Sequence, residues 1–409
     1  MKFRHFLLVF LLPLMACQEE TRELNDLTGY VDPMIGTDAH GHTFPGPTSP
    51  FGMVQLSPDT GIEGWDWCSG YHYSDSSIIG FSHLHLSGTG GADLGDIMIM
   101  PFTGTRHWFS GTKEDPDSGY RSRFSHDEEE ATAGYYSVLL KDYQIQAELT
   151  VTPRTGIHRY RFLEDDVASI IIDLKHGISS QPKAGYIEIT GENEIRGLRA
   201  SQGWAADQQV YFVARFSHPI VSYEFMKDDE LMGNESDRVE GRSVKAILDF
   251  GQLSDRELMV KVGISAVDEE GALKNLEAEA THWSFETYLD EVQKQWNKHL
   301  NTISIKGATL EQKRTFYTAM YHAQIAPALF NDVDGRYRGM DKNTHTAKDH
   351  NVFPIFSLWD TFRATHPLFT LIAPEKNMEF INTMLLQYQQ HGLLPVWELM
   401  ANETGTMIG

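Results

Sequence analysis

The sequence predicts a mixed fold, β first and α second: an N-terminal antiparallel β-sandwich, a helical linker, and then a helical domain. Three observations predict it. Between about Tyr30 and Val267 the apolar residues alternate with polar ones or form short continuous runs, as in strands covered on one face or on both. Polar, glycine-containing turns separate these runs without intervening helical spacing, which suits antiparallel neighbours. From about residue 269 the apolar spacing changes to threes and fours, the period of an amphipathic helix.

The elements follow in chain order. Residues 1–16 read as a leader. Lys2, Arg4 and His5 precede an apolar run from Phe6 to Ala16 that is too short to span a bilayer. Leu14-Met15-Ala16-Cys17 resembles a bacterial lipoprotein cleavage site, so Cys17 is the expected lipidated residue and 17–29 a polar tether. The sandwich is expected over 30–268. In "YQIQAELTV" Tyr143, Ile145, Ala147, Leu149 and Val151 share one face; in "ELMVKVGISAV" Leu258, Val260, Val262 and Ile264 do. "ASIIIDL" and "VYFVARF" are continuous, as in strands buried on both faces. A helical linker is expected over 269–308, with Phe285, Leu289, Val292 and Trp296 at helical spacing. The last region, 309–409, opens with "TLEQ", a capping-box pattern (Thr309–Gln312), ahead of a stripe of Phe316, Met320 and Ala323. "SLWDTFRATHPLFTLI" reads as one further helix. "EKNMEFINTMLLQYQQHG" reads as another, closed by Gly392, with an apolar face of Met378, Ile381, Leu385 and Tyr388.

Composition narrows the function. Lys and Arg number 34 against 57 Asp and Glu, a net charge of -23, which excludes the basic face that nucleic acid requires. The chain has two cysteines, Cys17 and Cys68. With Cys17 lipidated, no intramolecular disulfide and no cysteine-based zinc site remain.

Four stretches could carry chemistry. "GTDAHGHTFPGPTSPFGMVQLSPDT" is long and irregular, and either functions or packs under something. Its His40 and His42 are candidate ligands, or loop histidines bonded to backbone. "GWDWCSGYHYSDSSIIGFSHLHLSGTGGADLGD" sets Trp65, Trp67, Tyr71, His72 and Tyr73 beside Asp66, Ser69 and Asp75. Aromatic faces beside polar groups suit the C–H faces and hydroxyls of a sugar, and equally suit a sandwich core. In the same stretch His83 and His85, with Asp93 or Asp96, form a weaker candidate for a transition metal. The glycine run matches no phosphate-binding fingerprint. In "FSLWDTFRATHP", Trp359 and Asp360 offer an aromatic wall and a carboxylate for two hydroxyls, unless Asp360 is simply a helix N-cap. In "LPVWELMANETGTMIG", Glu398 and Glu403 lie five apart around Asn402. Paired carboxylates are the tools of glycoside hydrolysis; solvated helix-end carboxylates are the alternative.

Five segments resemble glycoside hydrolase family 92, the exo-acting α-mannosidases: "YVDPMIGTDAHGHTFPGPTSPFGMVQLSPDT", "CSGYHYSDSSIIGFSHLHLSGTG", "TPRTGIHRYRF", "FSLWDTFRATHPLFTLI" and "LLPVWELMANETGTMIG". They occur in the family's order and cover about Tyr30 to Gly409. The resemblance implies a sandwich, linking helices and the first helices of a truncated (α/α)6 barrel, with the active site between the two domains. It implies calcium-dependent, inverting hydrolysis of terminal α-mannosyl residues on high-mannose N-glycans or mannan, by an exported lipoprotein at the periplasmic or outer-membrane face. Trp359 and Asp360 resemble the pair that holds the terminal mannose. Trp67 resembles an aromatic contacting the next sugar, in a context like that of α-1,2-selective members. Glu398, Asn402 and Glu403 match a motif near the site. Leu84 and Ala92 stand where members often carry other residues. The resemblance places the catalytic acid, the base and the main calcium ligands beyond Gly409, so the expectation is a fragment that lacks turnover. The alternative is a non-catalytic carbohydrate-binding surface lipoprotein.

Overall fold

The structure, a computed structural model, describes residues 25–233 and 236–407. The leader and Cys17 lie outside these residues. Among the described residues, two antiparallel sheets form the N-terminal sandwich. One has seven strands, in the order Ser57–Asp59, Gly80–Ser82, Met98–Phe102, Ala168–Asp173, Val244–Gly251, Ser222–Lys227, Glu230–Leu231. The other has nine, in the order Arg238–Gly241, Gln181–Gly191, Glu194–Gln202, Gln208–Phe216, Glu257–Ser265, Thr155–Phe162, Ile145–Val151, Tyr135–Leu140, Glu129–Thr132. The residues that alternate inward on the second sheet (Ile145, Ala147, Leu149, Val260, Val262) join Ile170, Ile172 and Leu248 of the first in one apolar core.

The nine-stranded sheet is also covered on its outer face. Helix α1 (Glu269–Glu279), N-capped by Asp268, lays Ala272 and Leu276 on Ile157, Val213 and Met259. Lys261, between two inward-facing valines, is therefore buried. Its ammonium donates to the Ala280 carbonyl at the end of α1 (2.9 Å) and sits 3.8 Å from the centre of the Trp283 ring. Burial lowers its pKa to about 8.

Helix α2 (Phe285–Leu300) buries Phe285, Tyr288, Val292, Trp296 and Leu300 and leaves Leu289 at the boundary. Helix α3 (Leu310–Ala323) opens with both hydrogen bonds of the Thr309–Gln312 capping box. Its buried side is Tyr317, Met320 and Tyr321, rotated by one residue from the expected stripe because Phe316 packs only at the edge. The irregular 36–60 segment runs beneath these helices. The Trp296 indole donates to the Thr48 carbonyl (2.7 Å), and Phe51 meets Phe369 and Phe380 at 5.5 and 5.7 Å.

The single helix expected over "SLWDTFRATHPLFTLI" is two: α4 (Leu358–Thr361) and α5 (Thr365–Ile372). Pro367 explains the break, since it has no N–H for the carbonyl of Arg363 and its ring would strike that carbonyl in a continuous helix. Helix α6 (Pro374–His391) ends at Gly392 in the left-handed conformation (φ 83°). It buries Phe380, Thr383 and Gln387. Met378, Ile381, Leu385 and Tyr388 do form an apolar face, but that face is open to solvent. Beyond α6, a three-stranded sheet joins Phe356–Ser357, Trp397–Leu399 and Asn402–Glu403.

Candidate active site between the sandwich and the helices

A cleft of about 770 Å³ lies where the sandwich loops face the helical region. Trp65, the Gly88–Ala92 loop and Trp204 form the sandwich side. Ala326–Pro327 (a cis peptide bond), Phe356, Asp360, His366 and Trp397 form the other. The glycine run is thus a floor between two indoles: a Cβ on Gly91 would come within 2.5 Å of the Trp204 ring, and one on Gly90 would reach 3.5 Å from the Trp65 nitrogen. Trp204 lies 4.3 Å from Trp397 between ring centres and donates to the Thr406 hydroxyl (3.0 Å), so each domain supplies half of one aromatic wall.

Buried carboxylates hold the turn that carries Trp204. Asp93 accepts from the backbone N–H of Ala205 (2.6 Å) and Leu94 (2.7 Å), and burial raises its pKa to about 6. Asp96 is engaged by Arg199 and by Gln208. Neither carboxylate bonds the ring of His83 or His85. The two histidine rings also go to different partners. His83 bonds the Ile97 carbonyl and His158, whereas His85 bonds the Gln55 carbonyl and Asp59. The transition-metal arrangement considered for this pair does not form, because backbone carbonyls and buried side chains occupy every ring nitrogen. Asp59 is clamped between His85 (2.9 Å) and His176 (2.7 Å), which hold its carboxyl far below the usual range against a large desolvation.

The expected site residues separate into two groups. Asp360 lines the cleft, within the first turn of α4 and bonded to the Ser357 hydroxyl. It is not the N-cap, a place that Ser357 holds. Trp359, its neighbour, points away under Arg363, whose guanidinium lies 4.3 Å from its ring. Trp67 is also off the cleft. Its indole donates to Asp75 (2.7 Å), Lys113 covers its face at 3.6 Å, and Gly61 packs against its edge. Trp65, two residues earlier on the same 3-10 turn (Trp65–Trp67), faces the cleft instead.

Glu398, Asn402 and Glu403 are hairpin residues, not helix ends. Glu403 accepts from the N–H groups of Val396 (2.8 Å), Trp397 (3.1 Å) and Gly405 (2.8 Å). Glu398, wholly buried, accepts from Ile355 and Ala401; desolvation is the largest cause raising its pKa to about 7. Asn402 accepts from the Asp207 N–H and donates to its carbonyl (both 3.1 Å), across the domain boundary. All three therefore build the wall that presents Trp397. Their side-chain oxygens are taken by backbone N–H groups and, for Asn402, also by the Lys342 ammonium, and none lines the cleft.

Trp204, Trp397 and His366 were not singled out from the sequence. The available signal for Trp204 was a large aromatic in the Gly-Trp-Ala-Ala turn between two strands, where no core demands it. His366 has an unpartnered buried Nε2, and burial lowers its pKa, so it presents a neutral imidazole to the cleft.

A two-domain body with an aromatic-walled interdomain cleft suits a carbohydrate ligand. Residues 30–265 match the glycosyl hydrolase family 92 N-terminal domain, residues 271–409 match the family 92 catalytic domain, and the chain belongs to that family. It is similar to a family 92 α-mannosidase of Bacteroides thetaiotaomicron (39% identity, TM-score 0.91, 94% of this chain and 53% of that one). An inverting family 92 mannosidase of the same organism matches at 29% identity and TM-score 0.83, over 94% of this chain and 51% of that one. An uncharacterized secreted glycosidase of Arthroderma benhamiae is 28% identical over 330 residues, 74% of this chain and 42% of that protein. The chain thus spans about half the length of the solved structures it matches.

Proposed function

We propose that this chain contributes the sandwich and one wall of the active site of an exported exo-α-mannosidase, inverting and α-1,2-selective, acting on high-mannose N-glycans or mannan. The observation that carries the proposal is the cleft itself. Trp65, Trp204 and Trp397 offer flat apolar faces for the C–H side of a pyranose. Asp360 and the neutral His366 offer hydrogen-bonding groups for its hydroxyls. The mannoimidazole complex solved for the first Bacteroides enzyme supports a mannosyl occupant. Glu398, Asn402 and Glu403 act as positioning residues for Trp397.

Inverting hydrolysis needs an acid and a base about 6.5–9.5 Å apart. Among the described residues lining the cleft, Asp360 is the only carboxylate. We therefore propose that the chain holds a mannosyl group without cleaving it. The same count bears on calcium, a cation that takes six to eight oxygens. One carboxylate and scattered hydroxyls do not make that site.

Binding of mannoimidazole by the purified chain, compared with Asp360→Asn, tests the reading. The charged acceptor is worth about 1.5–3 kcal/mol, so a weakening of roughly tenfold or more is expected. Equal binding by the two proteins would remove Asp360 from the site. Mannose release from α-1,2-mannobiose by residues 18–409 would overturn the claim of no turnover, and equal affinity for α-1,2- and α-1,6-mannobiose the linkage preference.

Among the described residues no helix is long and apolar enough to cross a membrane. We propose attachment through lipidated Cys17. Cys17→Ala then moves the protein from the detergent to the aqueous phase on phase partition, and an unchanged distribution would refute the anchor.

A further inference from the structure

Beside the cleft, on the far side of Trp65, three side chains converge that the sugar site does not use. His40 Nδ1 lies 2.6 Å from Asp66 Oδ1, and His42 Nε2 lies 4.0 Å from the same oxygen; the three ligand atoms fit within 4.8 Å of one another. His42 is 6% exposed, and its Nε2 has no hydrogen-bond partner. Its other nitrogen is fixed. Nδ1 faces the Thr89 carbonyl at 2.9 Å, and a carbonyl only accepts, so Nδ1 carries the proton and Nε2 presents a bare lone pair. A backbone carbonyl on the far ring nitrogen is the usual support of a metal-ligating histidine. The residue sits at φ 55°, in the left-handed region that histidine visits more often than most side chains.

We propose that His40, His42 and Asp66 form a site for a borderline divalent transition metal such as Zn²⁺, with water in the fourth position. Two imidazoles and one carboxylate with an open position are a ligand set that zinc accepts at about 2.0–2.2 Å and that calcium, which takes only oxygens, does not. The geometry is close to closed. Ligands about 2.1 Å from a tetrahedral centre stand about 3.4 Å apart, so the His42–Asp66 separation contracts slightly and the His40–Asp66 hydrogen bond opens. His40 makes that movement freely, its side chain being 66% exposed. Its neutral ring then carries its single proton on Nε2 and presents the Nδ1 lone pair to the metal.

The site has a consequence for the cleft. Asp66 follows Trp65 on one 3-10 turn, and the Trp65 ring packs edge-on against His42 at 4.4 Å and tilted on His40 at 4.8 Å. Trp65 itself is 56% exposed. A metal bridging Asp66 to the two histidines ties that turn to the 36–60 segment and fixes the indole at the cleft rim.

The test uses the full chain without a polyhistidine tag, titrated with Zn²⁺ by calorimetry and with Co²⁺ by visible absorption. One strongly bound Zn²⁺ and the intense visible bands of tetrahedral Co²⁺ are expected, unaffected by millimolar Ca²⁺. His40→Ala and Asp66→Asn, both at accessible positions, are expected to weaken binding at least tenfold and to abolish the bands. His391→Ala, remote from the site, leaves both intact. Absence of stoichiometric binding overturns the proposal, as does binding that survives both substitutions or that His391→Ala weakens equally. None of these readouts depends on mannoside binding, so the metal site and the sugar site succeed or fail separately.

Discussion

Tyr160, His158 and His83 form a chain of hydrogen bonds with one permitted direction. The Ile97 carbonyl fixes the proton on His83 Nδ1 (2.7 Å), so His83 Nε2 accepts from His158 Nε2 (3.0 Å), and His158 Nδ1 accepts from the Tyr160 hydroxyl (2.7 Å). Both rings are fully buried and must be neutral. Burial lowers the pKa of His83 to about 4 and that of His158 well below its ordinary value. In the unfolded chain each histidine titrates near 6.5, so below that pH the unfolded state takes up protons that the folded state refuses. The stabilisation is complete above about pH 6.5 and is lost as pH falls toward 4, by about 3 kcal/mol for His83 alone. Asp93, Asp332 and Glu398, with pKa values raised to about 6, 6 and 7, oppose this trend, losing stability as pH rises. A variant separates the contributions. His158→Gln accepts from Tyr160 and donates to His83 without titrating. Its urea midpoint is expected to fall less steeply than that of the wild type between pH 6.5 and 4. Parallel slopes would rule out the pair as the acid-sensitive element. His83 and His85 show what residue-level reading could reach. The His-x-His spacing was visible and chemically suggestive, yet Ile97, His158, Gln55 and Asp59, which occupy its ring nitrogens, lie 14 to 75 positions away in the chain.

Helix α1 shows how an element is placed by what the strand beneath it lacks. Gly263 lies under the helix, where an added Cβ would come 2.5 Å from the Ala272 carbonyl and 2.8 Å from Leu276 Cβ. The close approach buries Leu276 completely, and Lys261 then closes the last turn of α1 through the Ala280 carbonyl. Gly263→Ala forces the helix off the sheet and is expected to cost about 1–3 kcal/mol. Leu276→Ala, which leaves a cavity, is expected to cost about 2–5 kcal/mol. Urea unfolding measures both, and a change below about 0.5 kcal/mol in either would mean that α1 is not seated as described. The inward face of this strand was legible from Leu258, Val260, Val262 and Ile264. Its outer face was not, because Met259, Lys261 and Gly263 read as a solvated edge until α1 is placed on them. The same ambiguity affects α6. Met378, Ile381, Leu385 and Tyr388 are a true apolar stripe, but Phe380, the hydrogen-bonded Thr383 and the buried Gln387 face the body. Hydrophobic periodicity gives a helix its stripe, and only the packing partner decides which side turns inward.

At the scale of the whole molecule, the cleft exists because one short turn of the sandwich is gripped from the helical side. Asp207, at the end of the turn that carries Trp204, receives Arg338 on its carboxylate (2.6 Å) and carbonyl (2.8 Å). Asn402 pairs with both its N–H and its carbonyl. The same amide oxygen accepts from the Lys342 ammonium (2.7 Å), whose pKa burial lowers to about 8. Asn402 was legible as a site residue through its motif, but its work is to register the two domains, which no local pattern reveals. Asn402→Ala removes five hydrogen bonds and leaves Lys342 short of an acceptor, a cost of about 1–3 kcal/mol. Because Trp204 and Trp397 come from opposite domains, loosening this clamp separates the two halves of the aromatic wall. The expected outcome is a lower unfolding midpoint together with mannoimidazole binding weakened about tenfold. Asp360→Asn, by contrast, should weaken binding at an unchanged midpoint, since among the described residues its carboxylate bonds only the Ser357 hydroxyl at the cleft surface. If Asn402→Ala unfolds earlier but binds mannoimidazole like the wild type, the clamp stabilises the body without shaping the cleft. The indole pair would then be held by the remaining contacts, among them the Trp204–Thr406 bond, which Thr406→Val would break.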